Sequence, residues 1–151
     1  MVKIIIWDFM RTLYDPDHRK MMPFAKKAVK SAEIKGYTNI LVSKNTKDKV
    51  GLDTVEILKA SGMDKMFASI LINDQKDEGI FQKIVDDYKP ILSQSYVVSD
   101  RAATDIWLGK KFGLRTIWYR NGKFKDELAE EGYEPEVTVV SLKAVAEIIF
   151  L

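Results

Sequence analysis

Apolar positions along the chain fall into short continuous runs separated by amphipathic stretches. Val2 to Trp7 is apolar and largely β-branched, as expected of a strand covered on both faces, and it stops at a carboxylate, Asp8. Runs at Thr38–Val42, Met66–Ile72, Ser95–Ser99 and Leu114–Tyr119 predict four more strands, and Glu136–Val140 a short sixth. Helical spacing fills the gaps. A helix is expected from Pro23, a good first-turn residue, to Gly36, with Phe24, Ala28, Ala32 and Ile34 inward and Lys26, Lys27 and Lys30 toward water. Leu52–Ala60 carries Val55, Ile57 and Leu58, and Gly79–Tyr88 carries Ile80, Phe81, Ile84 and Val85 and ends before Pro90. Ala103–Phe112 is stopped by Gly113, and Ser141 caps a last helix carrying Leu142, Val145, Ile148 and Ile149. Tyr14–His18 reads as a polar loop, and Arg120–Glu131 as a polar, weakly helical stretch. Strands alternating with helices at this spacing predict an α/β fold, a three-layer Rossmann-like parallel sheet with helices on both faces. Neither repeat nor linker interrupts it, so residues 1–151 are expected to form one domain.

Composition narrows the chemistry. The chain has 151 residues and a net charge of +2, too nearly balanced for strong polyanion affinity, so nucleic acid is an unlikely partner on this ground. Cysteine is absent and histidine occurs once, which excludes disulfides, thiolate catalysis and zinc sites rich in histidine or cysteine. Any metal chemistry must run on carboxylates, the ligands of magnesium and similarly hard ions. No signal peptide and no run long enough to cross a bilayer are visible, so a soluble, cytoplasmic protein without membrane association is expected.

Open α/β sheets bind ligands at the carboxyl ends of their strands. That edge would collect Asp8, Ser43, Lys76 of the Gln75–Glu78 loop, Asp100 and Asp105. A carboxylate there can ligate a divalent cation or attack phosphorus; a strand-end Asp that merely caps the next turn is the plain alternative.

In this order the residues resemble the haloacid dehalogenase superfamily of aspartate-nucleophile hydrolases. The family's first motif, an apolar strand ending Asp-x-Asp-Gly-Thr-Leu, is similar to Asp8-Phe9-Met10-Arg11-Thr12-Leu13. Its second, a strand ending in Ser or Thr, resembles Ile40-Leu41-Val42-Ser43, and its third, a lysine ahead of a helix, resembles Lys76. Its fourth, Gly-Asp with a second Asp five residues on, resembles Ser99-Asp100 and Asp105, and the stretch Ile106–Trp118 continues as the family does. The resemblance implies that Asp8 attacks phosphorus and becomes an aspartyl phosphate, and that Asp8, Asp100 and the backbone carbonyl of Met10 ligate Mg²⁺. It further implies that Ser43 bonds a phosphoryl oxygen, that Lys76 neutralises charge, and that Asp105 positions Lys76 or a metal-bound water. Arg11, Thr12, Lys44 and Asn45 are the remaining substrate-binding candidates. The partner implied is a phosphorylated small molecule or macromolecule.

Two departures stand out. The family's phosphatases use the second aspartate as general acid and base; here it is Met10, which can do neither, a loss typically worth ~10²–10⁴-fold. Three readings follow: a hydrolase for leaving groups that need no proton, one that borrows an acid from Asp15, Asp17 or His18, or a degenerate protein that binds metal or a phosphorylated ligand without turnover. The family's dehalogenases and phosphonate-cleaving members also lack that aspartate, but with Tyr or Ala in its place and a helical cap. Here Tyr14–Thr38 and Lys44–Gln75 leave no room for a cap. Capless members act on large substrates or cover the site by oligomerising, and a homo-oligomer is compatible with this sequence. Arg11, where the family has glycine, is either a phosphate ligand or a solvent-facing side chain. Lys44, Lys47 and Lys49 either attract a polyanion or are simply solvated, and Trp107, Phe112 and Trp118 are expected in the core.

Overall fold

The computed structural model describes residues 1–150. Strands β1 (Ile4–Trp7), β4 (Thr38–Lys44), β5 (Ser69–Asn73), β6 (Tyr96–Ser99), β7 (Arg115–Tyr119) and β8 (Val137–Val139) form one sheet, ordered β5-β4-β1-β6-β7-β8 and parallel throughout. The chain winds outward from β1 through β4 to β5, then returns to the other side of β1 at β6. This reversal opens a crevice at the carboxyl ends of β1 and β6, where Asp8 and Asp100 stand.

Period-two alternation in β1 splits the core. Ile5 and Trp7 join the cluster that packs α1 (Ala25–Ile34), α2 (Thr54–Ser61) and α5 (Leu142–Phe150) on one face. Ile4 and Ile6 join Ile80, Phe81 and Ile84 of α3 (Glu78–Tyr88) and Leu108 of α4 (Trp107–Lys111) on the other. One buried polar group crosses the first layer. Asn39 accepts from Trp7 Nε1 at 2.8 Å and donates to the Val29 carbonyl at 3.0 Å, fixing α1 against β1 and β4.

The predicted α/β architecture is the observed one, with differences at the edges. A two-stranded antiparallel hairpin, β2 (Tyr14–Asp15) and β3 (Lys20–Met21), occupies the expected loop. Its pairs are too short to leave an alternating pattern. β4 runs on to Lys44, while β5 starts only at Ser69 because Met63–Met66 winds into a 3₁₀ turn. The expected helix at Ala103 opens as a wide π turn, Ala102–Ile106, before α4. Arg120–Glu131 is not helical beyond the 3₁₀ turn Gly122–Phe124; its side chains are committed to outside partners, such as Glu127 to Arg101 and Glu130 to Trp107. Trp107 is also only partly buried, stacking on Tyr133 at 5.2 Å rather than entering the core, and Trp118 and Phe112 are likewise only partly covered.

Only the hairpin and α1 lie between β1 and β4, and only α2 and the 3₁₀ turn between β4 and β5. Among the described residues no cap domain covers the carboxyl edge. None of the described helices is long and apolar enough to cross a membrane.

Gly109 is where α4 meets the sheet. A Cβ there would lie 2.9 Å from both Thr116 Cγ2 and Val97 Cγ2. Both neighbours are β-branched and cannot swing aside. Gly109→Ala is therefore expected to destabilise the fold by about 1–3 kcal/mol despite the better helix propensity of alanine, measurable by denaturant titration.

Candidate active site

Asp8 is the first residue past β1, and its amide donates to the Val98 carbonyl of β6 at 3.1 Å, so the sheet itself fixes the carboxylate at the crevice. The chain then turns back in a tight loop, with the amides of Thr12, Leu13 and Tyr14 all bonded to the Phe9 carbonyl. Arg11 takes a left-handed backbone in this turn, φ 67°. That conformation accounts for glycine at the corresponding place in the motif the sequence resembles; here an arginine adopts it at a cost of order 1–3 kcal/mol.

The turn buries Thr12 between two carboxylates. Its hydroxyl lies 3.0 Å from Asp8 Oδ2 and 3.2 Å from Asp100 Oδ1, and it accepts the Asp100 amide at 3.0 Å. Thr12 therefore joins β1 to β6 beneath the cleft, and its expected contact with substrate is replaced by a positioning role. Asn45 also departs from expectation. It is exposed, its amide bonds to the Asn73 carbonyl at the β4–β5 edge, and it does not line the cleft.

The other residues converge. Lys76, just ahead of α3, forms an ion pair with Asp8 and another with Asp105 Oδ2 at 3.0 Å. The π turn after β6 brings Asp105 inward, where Ser99 Oγ donates to it at 2.5 Å. Ser43, at the end of β4, is buried on the cleft floor with its hydroxyl on the Lys44 carbonyl at 3.0 Å. Asp8, Met10, Arg11, Ser43, Lys44, Lys76 and Asp100 all line one open cleft of about 790 Å³.

Three carboxylates thus face one ammonium. Burial works to raise the Asp8 pKa, but Lys76 and the bonds from its neighbours outweigh it and hold Asp8 below the ordinary carboxylate value. Burial lowers the affinity of Lys76 for its proton, and Asp105 and Asp8 more than restore it, so the ammonium stays charged. Lys76 helps Asp100 least. Burial and then the negative charge of Asp8 push it up to about 9. Asp105 is also raised, by burial and by Asp8, with Lys76 opposing. Asp100 Oδ2 and Asp105 Oδ1 are buried without any hydrogen-bond partner.

This deficit of positive charge suits a cation. The residues that could hold one are Asp8, Asp100 with its unpartnered oxygen, and the Met10 carbonyl, which accepts no backbone hydrogen bond among the described residues. No three Asp, Glu, His or Cys side chains gather into a metal cluster among the described residues. Two carboxylates and a carbonyl leave the remaining positions to water and substrate, the pattern of Mg²⁺ rather than of an all-protein cage.

Several residues on the cleft carried no readable signal in sequence. Lys123 and Phe124 arrive from the turn after β7, Phe124 lying 3.8 Å from the Arg101 guanidinium, and Asn121 Nδ2 donates to the Arg11 carbonyl at 3.2 Å. Asp48 is a buried anchor behind the Lys44–Leu52 loop; its Asx turn ahead of Gly51 was the one local clue.

Residues 76–145 match the sequence model of the HAD-hydrolase-like family. No curated protein matches the chain in sequence. Among solved structures, D,D-heptose 1,7-bisphosphate phosphatase from B. bronchiseptica, complexed with magnesium and phosphate, is similar at TM-score 0.75 and 20% identity, covering 99% of this chain and 98% of that one. L-2-haloacid dehalogenase from Xanthobacter autotrophicus is similar at TM-score 0.74 and 12% identity, covering 99% of both chains. The HAD-hydrolase YfnB from Bacillus subtilis, bound to magnesium, is similar at TM-score 0.67 and 14% identity, covering 87% of this chain and 57% of that one. The chain has the haloacid dehalogenase-like fold, and residues 76–145 of its sequence match the model of that family. Phosphatases and dehalogenases share that fold, so the reaction has to be argued from the site.

A buried acid held above its ordinary pKa keeps its proton longer in the folded chain than in the unfolded one. Without metal, its contribution to stability is full below the ordinary carboxylate pKa and is lost as pH rises toward about 9. Asp100→Asn should therefore stabilise the metal-free protein at pH 8, by about 1–3 kcal/mol. Mg²⁺ should stabilise the wild type and leave the variant unchanged. Denaturant titrations with chelator and with Mg²⁺ test both; a variant less stable in chelator contradicts the charge account.

Proposed function

We propose that the chain is a Mg²⁺-dependent phosphohydrolase acting through an aspartyl phosphate on Asp8, with activity confined largely to phosphates whose leaving group departs without a proton. The observation that carries this reading is a buried, ionised Asp8 held between Lys76 and an undercompensated Asp100 on a cleft where Met10 takes the acid's place.

Asp8 would supply the attacking oxygen, and its bond to phosphorus forms as the bond to the leaving group breaks. Lys76 offsets the charge that gathers on Asp8 and the phosphoryl group, and Asp105 with Ser99 holds the ammonium in place. Ser43 would donate to a phosphoryl oxygen by turning its one hydroxyl proton away from the Lys44 carbonyl. Bound Mg²⁺ would screen the repulsion between carboxylate and phosphate and polarise the P–O bonds.

Nothing in the neighbouring loop replaces the missing acid. Asp15 is capped by the amides of Asp17 and His18 and by His18 Nδ1, and although burial works to raise its pKa, these bonds keep it low. Asp17 is held low by Arg11, its partner at 2.6 Å. His18 points outward, its side chain 74% exposed, and does not line the cleft. The leaving group must therefore depart as an anion, near the Arg11 guanidinium.

A metal-binding protein without turnover remains the competing reading, favoured by Met10 alone. The two separate on activity. With Mg²⁺, acetyl phosphate should be hydrolysed and a sugar monophosphate should not, and Asp8→Asn should abolish the turnover. Met10→Asp should raise kcat/KM on the sugar phosphate by about 10²–10⁴-fold. Wild-type turnover of both compounds would contradict the missing-acid account, and turnover that survives Asp8→Asn would remove the nucleophile.

A further inference from the structure

Resting on the phosphohydrolase reading, we infer that the outer cleft binds a second phosphate of a small bisphosphorylated substrate, between Lys44, Lys47 and Lys49 on one wall and Lys123 on the other. All four line the cleft, and none forms an ion pair among the described residues. The acids nearby are already matched, Asp17 by Arg11 and Asp48 by Arg19.

The lysine wall is held rather than loose. Asp48 Oδ1 accepts the amides of Val50 and Leu52, each at 3.0 Å. Its Oδ2 takes the Tyr14 hydroxyl at 3.1 Å and Arg19 Nε at 3.3 Å from the hairpin. With Asp48 turned inward and saturated, Lys47 and Lys49 on either side are exposed at the cleft. A loop whose lysines served only to be solvated would have no need of a buried carboxylate making four bonds. The opposite wall is fixed as well: Asn121 bonds to the Arg11 carbonyl, and Phe124 stacks on Arg101, which is itself held by Glu127 at 3.1 Å. Fixed backbones on two walls present the lysines to an anion without ordering of the loops, so the side-chain rotamers are what binding has to order.

The size and charge of the chain select a small molecule. About 790 Å³ is far more than one phosphate needs and is typical of small-ligand sites. The net charge of only +2 gives no long-range field for a polynucleotide, so the cationic density is local to the cleft.

The test uses alkyl phosphates as inhibitors of acetyl phosphate turnover with saturating Mg²⁺. Fructose 1,6-bisphosphate should inhibit at least ten-fold more tightly than fructose 6-phosphate, and added salt should narrow the gap. In Lys47→Gln/Lys49→Gln the ratio should fall toward one, while Lys47→Arg/Lys49→Arg should keep it; a ratio taken within each protein is independent of basal turnover. Equal inhibition in the wild type, or a ratio that survives the glutamine pair, overturns the inference. Tighter inhibition by a 5′-phosphorylated oligonucleotide overturns it in favour of a polynucleotide. If acetyl phosphate is not turned over, the phosphohydrolase reading fails separately, and the same two sugars compared by calorimetric binding judge the second-phosphate site by the same ratio.

Discussion

Burying three carboxylates around a single ammonium is the constraint on which the rest of the structure depends. Asp8, Asp100 and Asp105 are each nearly or fully out of water, and among the described residues Lys76 alone forms ion pairs with them. Such an arrangement is costly in isolation, since an uncompensated buried charge forfeits several kcal/mol of hydration. The fold imposes it all the same. The order of the sheet brings the ends of β1 and β6 together, Thr12 joins them, and the π turn after β6 carries Asp105 in behind Lys76. The result is an acidic centre short of positive charge, with the unpartnered Asp100 oxygen as its clearest sign.

Around this centre the protein departs in a consistent way from the usual equipment of the family it resembles. No cap domain stands over the cleft among the described residues, and Met10 stands where the resemblance places the second aspartate. The open cleft is instead walled by short rigid segments: the hairpin, the loop anchored by Asp48, and the turn at Gly122–Phe124. A substrate would have to supply through its own bulk and charge much of what a closing lid supplies elsewhere. On the proposed phosphohydrolase reading, a site without its own acid and base would favour reactive phosphates and would slow release of the phosphoryl group from Asp8, because the attacking water would have no carboxylate to take its proton.

Legibility in the sequence followed the range of the interactions. The apolar runs and their periods gave the sheet and the main helices, because burial on two faces leaves continuous β-branched stretches and helices leave stripes. The motif residues were legible because strand ends in a doubly wound sheet must meet at one edge. What sequence could not reach was set by contacts between distant short segments. Thr12 looked like a substrate ligand, and only the proximity of Asp100 turns it inward. Asn45 follows Ser43 closely, yet the extension of β4 to Lys44 carries it past the cleft. Arg120–Glu131 looked helical by composition, but its side chains are drawn to Arg101 and Trp107 instead. Asp48, Asn121 and Phe124 depend on partners more than twenty residues away.

The most direct test of the central claim is to look for the covalent intermediate. The protein would be mixed with acetyl phosphate and Mg²⁺, quenched in acid within the first turnovers, and its mass and phosphorylated peptide determined. The account predicts one phosphoryl group, acid-stable and hydroxylamine-labile, on the peptide carrying Asp8, accumulating because its hydrolysis lacks a base and absent from Asp8→Asn. Acetyl phosphate turnover with no phosphoryl group on Asp8, or a phosphoryl group that persists in Asp8→Asn, would contradict it.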